Sequence, residues 1–204
     1  MCGFIPPGGV YTHVVGVDII RTGIDEFFVL EDNARVPSGV SYMMENRSTM
    51  LHMFPELFTE HNVRPISNYP KELFNSLISC VKTNIPDPNV VVLTPGIFNS
   101  AYYEHSFLAD EMGAELVQGT DMEISNGEVM IRTTSGTEKV DVIYRRVDDD
   151  FIDPLSFNSK SMLGTPGLFD AYRNGNIVLA NAPGAGIADD KAIYSYMPEI
   201  IKFY

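Results

Sequence analysis

Two acidic residues on neighbouring predicted strands could bind a divalent cation. Asp18 lies in a β-branched run and Glu31 in a second apolar run, with a turn between them at residues 22–26. Pairing the strands symmetrically about this turn places Asp18 opposite Glu31, and both then share one face with Asn33 because side chains alternate along a strand. Opposed carboxylates lie about 5 Å apart and repel unless a cation compensates them. Carboxylate and amide oxygens suit Mg²⁺ or Mn²⁺.

The alternative is a solvated sheet face on which Asp18 and Glu31 bind nothing, and strand spacing alone does not choose between the two. The turn Pro37-Ser38-Gly39 favours the cation site, because such a turn can bring the backbone close to a ligand. The other face of the hairpin is apolar and is expected to pack on a core; it includes Val17, Ile19, Phe28 and Leu30.

The remaining pattern predicts an α/β fold in two parts. Residues 1–84 contain the hairpin and a Met-rich helix over 42–58, which is expected to be core. A Pro-rich junction follows, and residues 85–204 alternate between strands and helices. This part includes a helix that ends at Gly113 and a hairpin over 122–133 that turns at Asn126-Gly127. The last segment, 188–204, is expected to form a helix that is interrupted at Pro198.

Polar residues follow the buried strand predicted over 90–93. Asn99 and Ser100 lie at the start of the next helix, and open α/β sheets bind ligands beyond the carboxyl ends of their strands. Simple N-capping of the helix would also explain both residues. Glu104 and His105 lie one helical turn later, where a lone His more often has a structural role.

A dense charge cluster ends the strand predicted over 140–146. Arg145 and Arg146 could bind a substrate carboxylate or phosphate, and Asp148 and Asp149 could orient an arginine or accept an amine. The alternative is a solvated ion-pair network. Adjacent arginines on a strand face opposite ways, so at most one of them points into a given site.

The Gly-rich segment 184–186 leads into a predicted helix and could expose backbone amides to an anion. It lacks the Gly-Lys-Ser/Thr ending of a Walker loop. The following Asp189 and Asp190 are explained by helix capping and the helix dipole.

Composition excludes several classes of protein. The 204 residues carry a formal net charge of −13, which argues against nucleic-acid binding because that requires clustered basic residues. Cys2 and Cys80 are too few for a disulfide framework or a zinc cluster. The apolar runs are too short to span a membrane and no targeting pattern is present, so the expected location is the cytoplasm.

The chain contains, in this order, the stretches HVVGVDIIR, VLEDNARVPSGVSY, LTPGIFNSAYYEH, VDVIYRRVDDDFIDP and ANAPGAGIADDKAIYSYMP. Together they resemble the circularly permuted ATP-grasp family, whose members are often labelled glutathionylspermidine synthases. The resemblance covers nearly the whole chain. It implies an ATP-grasp metal-binding hairpin joined to a Rossmann-like, pre-ATP-grasp α/β domain, with the boundary at residues 84 and 85.

The resemblance also implies an activity, the ligation of a carboxylate to an amine. ATP would phosphorylate the carboxylate, and the amine of a small molecule or peptide would attack the acyl phosphate. Asp18, Glu31 and Asn33 would hold Mg²⁺, and Lys191 would contact the nucleotide. The substrate-binding candidates are then Asn99, Ser100, Glu104, His105, Arg145, Arg146, Asp148 and Asp149.

The sequence differs from the family pattern at the arginine that stabilises the acyl phosphate. Glutathionylspermidine synthetases place it two residues before the metal-binding Asp, where this chain has Gly16. Arg21 and Arg35 are the candidates to replace it. Strand alternation puts Arg35 on the side of Glu31 and Arg21 on the other side, so Arg35 is assigned the catalytic role.

A second departure concerns length. Family members continue beyond the Tyr-x-Pro helix into a subdomain with nucleotide-binding lysines and a Gly-rich flap, whereas this sequence stops at Tyr204. The chain is therefore expected to be an internal piece of a ligase that does not turn over ATP alone. The alternative is a non-catalytic binding or scaffold module that retains the fold.

Overall fold

The computed structural model of the chain describes residues 3–82 and 85–204. Cys2 and the predicted boundary at residue 84 lie outside these described residues. The strands are β1 Gly16–Arg21, β2 Phe27–Asn33, β3 Val90–Leu93, β4 Glu115–Val117, β5 Met122–Ser125, β6 Glu128–Thr133, β7 Gly136–Lys139, β8 Val142–Arg145 and β9 Val178–Ala180. The helices are α1 Val40–Met53, α2 Pro55–Glu60, α3 Tyr69–Ile78, α4 Tyr102–Met112, α5 Leu168–Arg173 and α6 Met197–Phe203. This is the mixed α/β content that the sequence predicts.

A four-stranded parallel sheet with the order β4-β3-β8-β9 forms the centre of the fold. All four residues of β3 are buried, which is why this strand is a continuous apolar run rather than an alternating one. Val91 packs in one hydrophobic cluster and Val92 in another, so the two faces of the sheet are covered separately. The carboxyl ends of the parallel strands all lie at one edge of the sheet.

Helices α3 and α4 cover one face of the sheet. Leu73 and Leu77 of α3 and Leu108 of α4 pack with Val92, so elements from both sides of the predicted 84/85 boundary share a core. The boundary itself stays a prediction. Helix α4 ends at Gly113, whose positive φ of 68° lets the chain leave the helix in the left-handed conformation.

The other face is covered by α5 and by an antiparallel sheet of β5, β6 and β7. Asn126 and Gly127 form the tight turn between β5 and β6, with φ values of 52° and 80°. An Asn-Gly pair is the usual sequence for such a turn, because both residues tolerate a positive φ. The sequence therefore identifies this hairpin, although it does not indicate β7.

The β1–β2 hairpin forms a separate antiparallel sheet. Asp18 pairs with Glu31, as the symmetric register predicts. A bulge then shifts the pairing, so that Ile20 lies opposite Phe28 and not opposite a residue one position later. The bulge adds one residue to β2 on the turn side of the acidic pair, and the predicted register fails only there.

Two predictions of burial are wrong. Ser41 is the buried residue of α1, while Met50 and Met53 are 45% and 64% exposed, so the Met-rich helix is not core. Ile19 and Leu30 on the apolar face of the hairpin are 57% and 54% exposed. A pattern of apolar residues indicates which face of an element is apolar, but it does not indicate whether another part of this chain covers that face.

The C-terminal segment differs from the single interrupted helix expected. Two 3₁₀ helices, Ala185–Asp189 and Lys191–Tyr196, precede α6. Pro198 lies in the first turn of α6, where its missing N–H costs no hydrogen bond, so it starts a helix and does not interrupt one. Across residues 3–82 and 85–204, no helix has both the length and the apolar character needed to cross a bilayer.

Candidate functional site

Asn181 attaches the hairpin to the carboxyl edge of the parallel sheet. It follows β9 directly and is 1% exposed. Its Oδ1 accepts hydrogen bonds from the backbone N–H groups of His13 (2.7 Å) and Val14 (3.1 Å). Its Nδ2 donates to the carbonyls of Val14 and Ala34, both at 2.6 Å. One buried side chain therefore holds both the segment that enters β1 and the segment that leaves β2.

The hairpin brings the three predicted oxygen ligands, Asp18, Glu31 and Asn33, to one face, which is called the acidic face below. Asp18 lies opposite Glu31, and Gly16 lies opposite Asn33. Because side chains alternate along a strand, the two carboxylates and the amide point to the same side of the hairpin. Lys191 Nζ lies 2.9 Å from Glu31 Oε2. The hydrogen bond that Lys191 donates to Glu31, together with the negative charges of Glu31 and Asp18, raises the pKa of Lys191. An ammonium thus occupies the place where the acidic pair needs a positive charge.

The residues present fit a hard divalent cation. Asp18 is exposed, Glu31 and Asn33 are half-buried, and all three offer oxygen atoms, as Mg²⁺ prefers. Within the described ranges, no three or more His, Cys, Asp or Glu side chains form a potential metal cluster. The candidate set contains only two carboxylates and one amide, so a cation there would keep several water ligands. Metal binding by these three residues stays a prediction.

The segment 185–196 binds the backbone at the end of β2 and just after it, through contacts that the sequence pattern does not indicate. Asp189 Oδ1 accepts hydrogen bonds from Ala34 N (2.5 Å) and Arg35 N (3.2 Å). The Tyr194 hydroxyl contacts the backbone N–H and carbonyl of Asp32. These contacts set Lys191 against the acidic face. The sequence predicts helix capping for Asp189, but its carboxylate instead binds the backbone just after β2. A backbone partner leaves no signal in a sequence pattern.

Arg35 lies beyond the end of β2, so strand alternation does not determine where its side chain points. Its side chain packs over Gly186, where a Cβ would overlap the guanidinium. Arg21 donates to the carbonyls of Gly23 (2.8 Å) and Ile24 (2.5 Å) and is committed to the hairpin turn. Of the two arginines, the exposed Arg35 is therefore the one available to a ligand.

Gly16 has a steric reason to lack a side chain. A Cβ at this position would lie 3.2 Å from Pro37 Cβ and 3.6 Å from Asn33 Cβ. A side chain at position 16 would therefore require Pro37 to shift. The departure from the glutathionylspermidine synthetase pattern at Gly16 is consistent with the packing of the following turn.

Arg145 and Asp149 hold together the loops that follow β8 and β9. Arg145 is buried and donates to the carbonyls of Asn181 (2.6 Å) and Val147 (2.8 Å). Its guanidinium lies 2.6 Å from Asp149 Oδ1, and Asp149 Oδ2 accepts from Gly184 N at 2.8 Å. Asp148 is exposed. Of this cluster, Asp148 is the side chain most accessible to a ligand.

Arg146 points away from Arg145, as strand alternation predicts for adjacent residues. Its guanidinium pairs with Glu104 at 3.3 Å, and both side chains are only 1% exposed. The pair is therefore a buried ion pair and not a solvated network. Substrate contact by either residue stays a prediction.

The remaining candidates lie near the end of β3. Asn99 and Ser100 are exposed, and Asn99 Oδ1 accepts a local hydrogen bond from Ala101 N at 2.9 Å. His105 is buried and its Nδ1 lies 2.9 Å from Thr94 Oγ1. None of the hydrogen bonds of Asn99 or Ser100 in the described part of the chain reaches the hairpin.

His105 predicts a pH dependence of stability. Burial, and secondly the charge of Arg146, lowers the pKa of His105 from 6.5 to about 4. Between these values the unfolded His binds a proton that the folded His rejects, so the free energy of unfolding falls as the pH falls through this window. We expect His105→Asn to lose less stability than the wild type between about pH 7 and about pH 5, measured by urea unfolding. His61→Asn, at an exposed position, should keep the wild-type pH dependence, and an unchanged slope in His105→Asn would contradict the expectation.

Comparison with known proteins identifies the family. Residues 1–204 match a family model described as a circularly permuted ATP-grasp. An uncharacterized protein of Synechocystis is 53% identical over 202 residues, which cover 99% of this chain and 42% of the relative. A Mycobacterium tuberculosis protein, also uncharacterized, is 54% identical over 202 residues, with 99% and 37% covered. A Frankia casuarinae protein provisionally named glutamate--cysteine ligase 2-2 is 36% identical over 205 residues, with 98% and 23% covered.

The chain spans less than half the length of these curated relatives. The family match, in contrast, extends over all 204 residues. The chain belongs to the circularly permuted ATP-grasp family.

Proposed function

We propose that the chain is the magnesium-binding part of an ATP-dependent carboxylate–amine ligase. The observation that carries the proposal is the face shared by Asp18, Glu31 and Asn33, on which a lysine ammonium already balances the acidic pair. Membership of an ATP-grasp family and the ligase name of the Frankia relative support the reaction class.

In this proposal Asp18, Glu31 and Asn33 hold Mg²⁺ or Mn²⁺. A cation held by these three residues would supply positive charge that favours phosphoryl transfer from ATP. Lys191, displaced from Glu31, would then be free to contact a phosphate of the nucleotide. Arg35, exposed above Gly186, would steady the acyl phosphate.

The substrates are proposed as a class only, a carboxylate and an amine, each a small molecule or a peptide. The family label of glutathionylspermidine synthase and the Frankia name of glutamate--cysteine ligase both describe such a ligation. Exposed Asp148, beside the anchored Arg145–Asp149 pair, is the residue proposed to orient the amine.

The nucleotide-gripping lysines and the Gly-rich flap are proposed to lie in sequence outside this segment, or in a partner chain. The support is the length of the relatives, of which this chain covers 42% or less. The purified 204-residue chain is therefore expected to show no efficient ATP-dependent amide formation. Such turnover by the chain alone would refute this part of the proposal.

Ligand-dependent thermal stability tests the proposal. Mg²⁺ together with ADP or an acyl-phosphate mimic should raise the melting temperature of the chain, because a ligand that binds only the folded state stabilises it. Glu31→Ala should abolish the gain. If neither the wild type nor the variant shifts, the chain is better described as a non-catalytic binding or scaffold module.

Lys191→Met separates the two roles of this lysine. Without nucleotide, we expect the variant to bind Mn²⁺ more tightly than the wild type, because the ammonium no longer competes for Glu31 and Asp18. With nucleotide, it should bind the complex more weakly. Mn²⁺ electron paramagnetic resonance titrations measure both affinities, and weaker Mn²⁺ binding by Lys191→Met in the absence of nucleotide would contradict the expectation.

A further inference from the structure

A carboxylate from α4 caps α1. Glu104 Oε2 accepts hydrogen bonds from Gly39 N (2.7 Å), Ser41 N (3.1 Å) and Ser41 Oγ (3.0 Å). The residue at the N-cap of α1, Gly39, has no side chain to do this. Glu104 thus satisfies N–H groups that the helix itself leaves free, and its negative charge lies at the positive end of the helix dipole.

Arg146, just beyond β8, holds the other side of the same turn. Its Nη1 donates to the Pro37 carbonyl at 2.6 Å and to the Tyr144 hydroxyl at 2.9 Å. Its Nη2 donates to Glu104 Oε1 at 3.3 Å. Glu104 and Arg146 therefore hydrogen-bond to Pro37, Gly39 and Ser41. These bonds hold the turn that connects β2 to α1.

Stability alone is a weak reason for such a pair. Removing two charges from water costs about as much free energy as their mutual attraction returns, and well-packed apolar residues are often as stabilising. Arg146 Nε, moreover, is buried and has no hydrogen-bond partner among the residues that the structure describes. What the pair provides is a fixed geometry for residues 37–41.

Pro37 connects the turn at residues 37–41 to the acidic face, because it packs beside Gly16 of β1. The space over Gly16 is so tight that an added Cβ would lie 3.2 Å from Pro37 Cβ. Gly16 in turn lies opposite Asn33 in the hairpin. A displaced Pro37 would therefore disturb the strand pair that carries Asn33.

We propose that Glu104 and Arg146 are positioning residues that hold the turn at residues 37–41, and thereby keep Asn33 on the cation-binding face with Asp18 and Glu31. The inference rests on the proposed function, since it assigns both residues to the geometry of that site. It also replaces direct substrate contact with an indirect role, because both side chains are 1% exposed and hydrogen-bond within the protein.

The test is the affinity of the chain for Mn²⁺ in the absence of nucleotide and substrates. Glu104→Gln keeps the shape of the side chain but removes its charge, and we expect it to weaken Mn²⁺ binding by about tenfold, as is typical of lost support around a metal site. Leu108→Ala is the matched control, because it destabilises the same helix from the buried apolar side. It should leave the affinity unchanged at a temperature where the variant is folded.

Hydrogen exchange supplies a second readout. The amides of Gly39 and Ser41 should exchange faster in Glu104→Gln, and faster to a lesser degree in the milder Ser41→Ala, but not in Leu108→Ala. Unchanged exchange and unchanged Mn²⁺ affinity in Glu104→Gln would overturn the inference while leaving the proposed function intact. Failure of the wild type to bind Mn²⁺ would overturn the proposed function. If Leu108→Ala loses as much Mn²⁺ affinity as Glu104→Gln, the pair has only a structural role and the inference is wrong.

Discussion

Asn181→Leu is expected to lower the free energy of unfolding by about 3–5 kcal/mol, because it leaves buried polar backbone groups without partners. The side chain makes hydrogen bonds with His13, Val14 and Ala34, and leucine of similar size makes none of them. The loss should be concentrated in the hairpin, since these contacts are what join both of its ends to β9. Urea unfolding gives the total loss, and hydrogen exchange of β1 and β2 gives its location.

Asn176→Leu is the matched control for this prediction. Asn176 is half-buried, and its side chain donates a hydrogen bond to the Gly127 carbonyl at 2.9 Å. Losing one such bond costs about 1 kcal/mol. If Asn181→Leu costs no more than Asn176→Leu, Asn181 does not anchor the hairpin in the way described.

Asp18→Asn and Glu31→Gln should each weaken Mn²⁺ binding by more than about tenfold, since each replaces one of two charged ligands by a neutral one. Asp25→Asn is the control, because it lies in the exposed turn of the same hairpin and removes the same charge. Equilibrium dialysis or electron paramagnetic resonance measures the affinity. Equal losses in all three variants would mean that the net charge of −13 attracts the ion without a specific site.

The local sequence pattern predicted the elements whose partners are close in sequence. The Asp18–Glu31 pair follows from alternation about a short turn, and the Asn126-Gly127 turn and the end of α4 at Gly113 follow from backbone preferences. The buried strand β3 follows from the short apolar run at residues 90–93. In each of these cases the physical cause acts within a few residues.

The failures share a different cause, because they depend on contacts between distant segments. Tyr194 binds the backbone of β2 and Asp189 binds the backbone just after it, which a side-chain pattern cannot encode. Asn181 lies in the stretch ANAPGAGIADDKAIYSYMP, and the resemblance of this stretch to the family is the signal that could have identified it. The exposure of Met53 and Ile19 depends on which surfaces this chain covers, which periodicity does not report.

Anomalous diffraction from crystals grown with Mn²⁺ tests the central claim most directly. A peak is expected on the acidic face, within direct coordination distance of carboxylate oxygens of Asp18 and Glu31, with Asn33 beside it and Lys191 displaced from Glu31. A peak elsewhere, or none at a saturating Mn²⁺ concentration while Lys191 keeps its contact with Glu31, would contradict the assignment of this hairpin as a metal site.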